Sequence, residues 1–261
     1  MFFRDDRRLT SCEVECAYEG RSSAGRIMSR NSSPEEQQGP RLTPRDDIWG
    51  IVLAAGSGSR FGERKQFLEI NGSRLVDLAV ALTASFCQGV VLVLPAGFTW
   101  DGDPVGAVVS GGDLRTDSTR RGLEAVPASA QIILTHDAVH PLASKNIFVS
   151  LIEAIQEDGV DAVLPAISTR DTIMRMRRNE IVEAVPRNGL VWVQMPYAFR
   201  ADALRAAHQR GGEAQDDGVL VQQMGGRIKT VPGEPSNIHV TTRDDLAIVR
   251  RLMTERPSSV E

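Results

Sequence analysis

Cysteine, lysine and long apolar runs are scarce in this chain of 261 residues. Three cysteines (Cys12, Cys16 and Cys87) do not make a disulfide framework. No apolar stretch approaches the ~20 residues of a membrane-spanning helix. The first residues, Met-Phe-Phe-Arg-Asp-Asp-Arg-Arg, lack the apolar segment of a secretory signal. These absences predict a reduced, cytoplasmic protein with no membrane partner. Basic excess is also missing: the net charge is −4, which argues against nucleic acid as the main partner. The four histidines, at 136, 140, 208 and 239, are remote from Cys12 and Cys16, so that pair lacks the further ligands a zinc site needs. Of 30 basic residues only Lys65, Lys145 and Lys229 are lysine. Arginine is the default cation, and each lysine therefore calls for a local reason.

What is present is ordinary for a globular protein, with 41% hydrophobic and 25% charged residues. Residues 1–47 carry eight Arg and nine acidic residues among Ser, Gly, Pro and Gln, with no apolar period. They are predicted to be a disordered extension, leaving a domain at 48–256. Trp49–Leu53, Val90–Leu94, Ala107–Val109, Gln131–Thr135, Asp161–Leu164, Leu190–Val193 and Arg227–Val231 read as strands. Helices are expected over Leu75–Phe86, Arg115–Val126, after a Ser144 cap, over Arg200–Gln209 and Asp217–Met224, and after a Thr242/Asp245 capping box. This alternation predicts an α/β, Rossmann-like, mostly parallel sheet with helices on both faces. Between about 170 and 186, Thr172–Met176 and Ile181–Val185 alternate around Arg178-Asn179, which predicts a β-hairpin that could serve as a dimerisation arm.

Three clusters carry chemistry. The first is the loop Leu53-Ala-Ala-Gly-Ser-Gly-Ser-Arg-Phe-Gly62, followed by Lys65. It leaves a buried strand, and in open parallel sheets ligands bind at the carboxyl ends of strands. Glycines let backbone N–H groups approach a phosphate. The loop is neither a Walker loop, lacking Gly-Lys-Ser/Thr, nor a dinucleotide fingerprint, being one residue too long. Arg60, Arg64 and Lys65 add cations suited to a triphosphate and to charge developing at Pα. The second cluster is Gly111-Gly-Asp-Leu-Arg115-Thr-Asp-Ser118, where Arg115 and Ser118 open a helix whose N-terminus attracts anions; it also reads as a plain strand–helix turn. The third is His136-Asp137-Ala-Val-His140-Pro. There Asp137 could hold Mg²⁺ together with phosphate oxygens, a transition-metal site is less favoured, and His136 also reads as a satisfied buried histidine.

In this order the clusters resemble those of the 2-C-methyl-D-erythritol 4-phosphate cytidylyltransferases. The resemblance runs from about Trp49 to Met253 and includes Lys65-Gln-Phe, Arg170-Asp-Thr-Ile, Pro186-Arg-Asn-Gly-Leu, Gln194-Met-Pro-Tyr-Ala-Phe and Asn237-Ile-His-Val-Thr-Thr-Arg-Asp-Asp-Leu. It implies a nucleotidyltransferase fold, similar to that of type-A glycosyltransferases, and cytidylyl transfer from CTP to a polyol phosphate with Mg²⁺. Arg60 and Lys65 would act at Pα. Ala54, Ala55, Gly56, Gly58, Ser59, Gly112, Arg115, Ser118 and Ala138 would bind the nucleotide, and Asp137 the metal. The arm would cross to the partner of a homodimer, and Thr172, Arg187 and His239 would hold the acceptor phosphate.

The chain departs from the family pattern in one region. His140, Met174 and His239 stand where the family usually has a cation, and Met195 and Tyr197 lie in what is usually Gln-Thr-Pro-Gln. This asymmetry predicts an intact CTP end and an altered acceptor end, hence slow turnover or another acceptor such as ribitol 5-phosphate. A nucleotide-binding homologue without activity is a further alternative. The loop spacing and Lys65 disfavour a dinucleotide-dependent oxidoreductase.

Overall fold

The computed structural model of the protein describes residues 45–58, 61–211 and 214–255. The chain begins with β1 (Arg45–Leu53), a single 3-10 turn at Lys65–Phe67, the short strands β2 (Glu69–Ile70) and β3 (Ser73–Arg74), and α1 (Leu75–Ala84). Next come β4 (Cys87–Leu94), β5 (Ala107–Ser110), α2 (Arg115–Ala125), β6 (Ile132–Asp137), α3 (Lys145–Ala154) and β7 (Ala162–Ser168). The hairpin β8 (Ile173–Arg177) and β9 (Glu180–Val185) precedes β10 (Val191–Val193) and β11 (Tyr197–Arg200). The chain continues through α4 (Ala201–Arg210), α5 (Asp217–Gln223), β12 (Ile228–Pro232) and α6 (Arg243–Glu255).

The main sheet is built outward from β1, which pairs in parallel with β4 on one side and β6 on the other. β5 extends the β4 side, also in parallel. β11 lies antiparallel between β6 and β7, and β12 runs parallel to β7 on its far side. β10 pairs antiparallel with the later part of β7. The chain thus proceeds outward from β1 to β4 and β5 and then returns to the other side of β1 for β6. That reversal is a topological switch point, where a crevice opens at the carboxyl ends of β1 and β6.

Alternation sorts the apolar side chains. Ile51, Leu53, Val91, Val93 and Ile133 point to the face covered by Leu123 of α2, Leu204 of α4 and Leu220 of α5. Ile48, Val52, Leu92 and Leu134 point to the other face, covered by Val76 and Val80 of α1 and Phe148 and Leu151 of α3. β1 is therefore apolar on both faces, as a central parallel strand must be. Among the described residues, no helix is long and apolar enough to cross a membrane.

Two expectations are corrected. Order begins before Trp49: Gln131 N–H donates to Asp47 O at 2.9 Å, Ile48 pairs with Ile132, and Arg45 is bonded to Asp47. Residues 45–47 thus belong to β1 rather than to a disordered extension, and the remainder of the expected extension, 1–44, lies outside the described residues. The strand β11 is additional; its four residues follow Pro196 and are too few for a period to be read. The hairpin forms as expected, with Arg178 and Asn179 at φ of 46° and 69°, the two positive values of a tight two-residue turn.

The capping box of α6 also forms. Asp245 Oδ2 accepts from Thr241 N, Thr241 Oγ1 and Thr242 N at 2.7–2.8 Å, and Asp245 N donates to Thr242 Oγ1. Slight burial opposes its ionisation, but these donors outweigh it and lower the pKa from 3.8 to about 2. A depressed carboxylate stabilises the fold above its unfolded pKa and loses that effect as pH falls through the folded value. Asp245→Ala should cost about 1 kcal/mol at pH 7 in chemical unfolding. The gap to wild type should close between pH 3.8 and about 2; an unchanged gap there would show that the carboxylate charge is not what caps the helix.

Candidate active site

Leu53 and Asp137 are in register across β1 and β6. Just beyond them lies a cleft of ≈ 480 Å³, lined by the glycine loop, Lys65, Gly112, Arg115, Ser118, Asp137 and His239 among others. The three clusters expected from the sequence thus meet at one place, the switch point.

The loop is held by its backbone and by one buried amide. Ala54 N donates to Val93 O at 2.9 Å. Gln66 Nε2 donates to both Ala54 O and Gly56 O at 2.8 Å, and Gln66 is 2% exposed. Gly58 has φ +72°, and a Cβ there would lie 1.8 Å from Glu63 O. Phe61 N and Gly62 N both donate to Gly58 O at 2.9 Å, closing the turn. Ala54, Ala55, Gly56 and Gly58 all line the cleft. Lys65 reaches it from the 3-10 turn, with Nζ donating to Val240 O at 2.5 Å. Arg64 lies over the Phe98 ring, 4.3 Å from its centroid. Ser59 and Arg60, both expected to act on the nucleotide, lie outside the described residues.

The second cluster is packed tightly against the first. A Cβ on Gly111 would sit 2.2 Å from Ala55 Cβ, and one on Gly112 would sit 2.4 Å from Asp117 Cβ. Ser118 accepts from Gly112 N at 3.1 Å and donates to Leu114 O, so its hydroxyl secures the turn as well as lining the cleft. Arg115, the first residue of α2, is held between two carboxylates. Its Nη1 donates to Asp217 Oδ2 at 2.6 Å, and its Nη2 lies 3.3 Å from Asp137 Oδ1. Burial works against the guanidinium charge, but Asp137 and Asp217 outweigh it and the pKa is raised.

Asp137 keeps its charge for the same reason. Burial opposes ionisation, and Arg115 more than offsets it, so the pKa is lowered. Its Oδ1 is buried and meets Arg115 as an ion pair, with no hydrogen-bond donor of its own. An ionised oxygen so placed at the cleft suits a hard divalent cation. Among the described residues, no three His, Cys, Asp or Glu side chains group to hold a metal unaided. A cation at Asp137 would therefore need ligands from outside the chain, such as phosphate oxygens. His136 is a satisfied core histidine: its Nε2 meets His140 O at 3.2 Å and its Nδ1 meets Thr83 Oγ1 at 3.0 Å. A carbonyl only accepts, so Nε2 carries the hydrogen and Nδ1 accepts. Burial pushes the pKa of His136 down to about 4; burial, then repulsion from His239, pushes that of His140 down to about 3.

Placement differs for the remaining residues. Ala138 is fully buried beneath the cleft and its N–H is bonded to Leu53 O. His239 lines the cleft and stacks on His140, ring centroids 4.6 Å apart. Thr172 and Arg187 are exposed on and beside the hairpin arm and do not line this cleft; Arg187 donates to Arg170 O. Met195 and Tyr197 lie behind the cleft. Met195 Sδ is 3.5 Å from Arg115 Nη2, and Tyr197 donates to Asp216 Oδ2 at 3.1 Å. Sequence reasoning missed Gln66, Asp217 and Asn237. Asn237 Nδ2 donates to Met195 O at 2.7 Å, tying the His239 segment to the chain behind Arg115. Gln66 stood beside Lys65 in the motif, but nothing in its type marked it as the loop's anchor.

A sequence model of the 2-C-methyl-D-erythritol 4-phosphate cytidylyltransferases matches residues 48–255. A bifunctional enzyme IspD/IspF of Granulibacter bethesdensis is 41% identical over 218 residues, which cover 79% of this chain and 56% of that one. A 2-C-methyl-D-erythritol 4-phosphate cytidylyltransferase of Deinococcus radiodurans is 38% identical over 208 residues, covering 77% of this chain and 88% of that one. The chain thus spans about half of the bifunctional relative and most of the single-function one. In three dimensions it is similar to the crystal structure of the cytidylyltransferase of Thermus thermophilus, with a TM-score of 0.69, 28% identity, and coverage of 78% of this chain and 98% of that one. The family model and the Deinococcus relative carry the methylerythritol phosphate name, so another acceptor such as ribitol 5-phosphate is not favoured.

Gly58→Ala should weaken nucleoside triphosphate binding by roughly tenfold or more. A left-handed L-residue costs about 1–2 kcal/mol, 1.4 kcal/mol is tenfold, and the clash with Glu63 adds to it. Calorimetric titration checks this, and affinity within twofold of wild type would show that the loop shape does not set binding.

Proposed function

The chain belongs to the 2-C-methyl-D-erythritol 4-phosphate cytidylyltransferase family, and we propose that this cleft carries out the reaction of that name. CTP and 2-C-methyl-D-erythritol 4-phosphate give CDP-methylerythritol and diphosphate. The observation that carries the reading is the convergence of the glycine loop, Lys65, Arg115 and Asp137 on one crevice at the ends of β1 and β6.

An oxygen of the acceptor phosphate attacks Pα in line. The new bond to Pα forms as the bond from Pα to the bridging oxygen of the β-phosphate breaks, and diphosphate leaves. A phosphate is already ionised, so no general base is required. Catalysis is positioning and charge stabilisation. Lys65 faces the charge that builds on the Pα oxygens, a task the motif also gives to Arg60. Ala54, Ala55, Gly56 and Gly58, with Gly112, Arg115 and Ser118, surround the nucleotide, and the buried Ala138 backs them. Asp137 would hold Mg²⁺, which when bound would neutralise phosphate charge. His136 and His140, both neutral at ordinary pH, shape the floor without adding charge.

The acceptor half needs a second copy. Met176, Ile181 and Trp192 are about two-thirds exposed on the arm and the adjoining β10. Such apolar area on a projecting hairpin suits an isologous contact. In the homodimer the arm delivers Thr172 and Arg187 to the partner's cleft, beside His239.

Lys65→Ala should lower diphosphate release from CTP and methylerythritol phosphate by about 10²-fold or more. Retained turnover would remove Lys65 from the chemistry. Ile181→Asp should shift sedimentation from dimer to monomer and raise the KM for methylerythritol phosphate, with CTP affinity kept. A monomer of unaltered acceptor KM would sink the arm's role.

A further inference from the structure

Asp217 is fully buried, and its carboxylate is held by three side chains, two from α2 and one from α4. Its Oδ2 accepts from Arg115 Nη1 at 2.6 Å and from Thr119 Oγ1 at 3.1 Å. Its Oδ1 faces His208 Nε2 at 3.2 Å. A carboxylate accepts only, so the hydrogen of this contact is on His208 Nε2. Through Asp217, a histidine of α4 touches the cation that the nucleotide cleft depends on.

We propose that His208 is a positioning residue for CTP binding: it fixes the orientation of the Asp217 carboxylate, which in turn fixes the Arg115 guanidinium in the cleft. The inference rests on the reading that Arg115 meets the nucleotide. Arg115 makes one short bond to Asp217, at 2.6 Å from Nη1, and two longer contacts to Asp137, at 3.3 Å from Nη2 and 3.4 Å from Nε. Asp217 thus fixes the Nη1 end of the guanidinium. A carboxylate pinned at one oxygen can rotate about its Cβ–Cγ bond and carry the guanidinium with it. Pinned at both, by Thr119 and His208, it cannot. Position matters because a shift of about 1 Å in such a group can cost on the order of 10²-fold in rate.

His208 also occupies a boundary. Its side chain is 6% exposed, and it lines a second, outer cavity of ≈ 290 Å³ between α2 and α4, with Leu123, Glu124 and Arg205. The histidine is thus the outermost member of a chain of contacts that ends in the active cleft, and it touches neither substrate. A histidine that only filled space there would be replaceable by leucine with loss of stability alone. A positioning histidine needs its N–H.

The test compares His208→Leu, which removes the donor, with His208→Gln, which offers a side-chain N–H of similar reach. Steady-state kinetics with both substrates are read beside thermal melts. His208→Leu should raise the KM for CTP by about fivefold or more, as groups sharing one hydrogen-bond network do when one is removed. The KM for the acceptor should stay within twofold. His208→Gln should recover most of the CTP affinity. Should His208→Leu fail to fold, Thr119→Val removes the other donor to the same carboxylate and carries the same expectation. In an Arg115→Lys background, His208→Leu should have no further effect on CTP.

Lower thermal stability with unaltered CTP KM would overturn the proposal, as would a glutamine variant no better than leucine. Arg115→Lys alone separates the two ideas. If it leaves the CTP KM unaltered, the reading of Arg115 fails and the relay falls with it. If it raises that KM while His208→Leu does not, only the relay fails.

Discussion

Leu53 and Asp137 stand opposite each other where β1 and β6 pair in parallel, and this register decides where the site can be. The glycine loop leaves the end of one strand and the Asp137 carboxylate stands at the end of the other. A slip of one residue would turn Asp137 to the opposite face and bury polar atoms in an apolar layer. The register is locked because both faces of β1 are covered: Ile51 packs toward α2 and α4, Ile48 and Val52 toward α1 and α3. The two cores thus do more than stabilise the fold. They index the loop against Asp137 to within a residue.

Charge in the cleft is arranged around that index. Arg115 is raised and Asp137 lowered in pKa by each other, so both stay ionised despite burial. The histidines nearest Asp137 are driven the other way by burial. Positive charge in the cleft therefore comes from Arg115 and Lys65, and it is tethered. Lys65 is bonded to the Val240 carbonyl, just ahead of the capped start of α6. Arg115 is bonded to a buried carboxylate. Cations fixed in advance cost less to order when an anionic ligand arrives.

Much of this was legible in the sequence for a definite reason. Buried strands followed by glycine loops announce themselves, as Trp49–Leu53 and its loop did, and Arg178-Asn179 named its own turn. Lys65 stood out because arginine is so common around it. What could not be read is the layer that acts at long range. Gln66 anchors the loop through two carbonyls, Asp217 grips Arg115 from 102 residues away, and Asn237 ties two segments together. Their residue types are ordinary, and only the sheet order brings them to the site. β11 was missed for a related reason. Four residues after a proline show no period, and their strand character comes from being placed between β6 and β7.

The same layer explains what the departures from the family pattern bear on. Met195 and Tyr197 looked, in sequence, like altered contacts to the acceptor. In the fold they lie behind Arg115, Met195 against its guanidinium and Tyr197 bonded to Asp216, whose charge also acts on that guanidinium. Asp217, Thr119 and His208 support Arg115 from the other side. Met195 and Tyr197 therefore bear on how one cation is held.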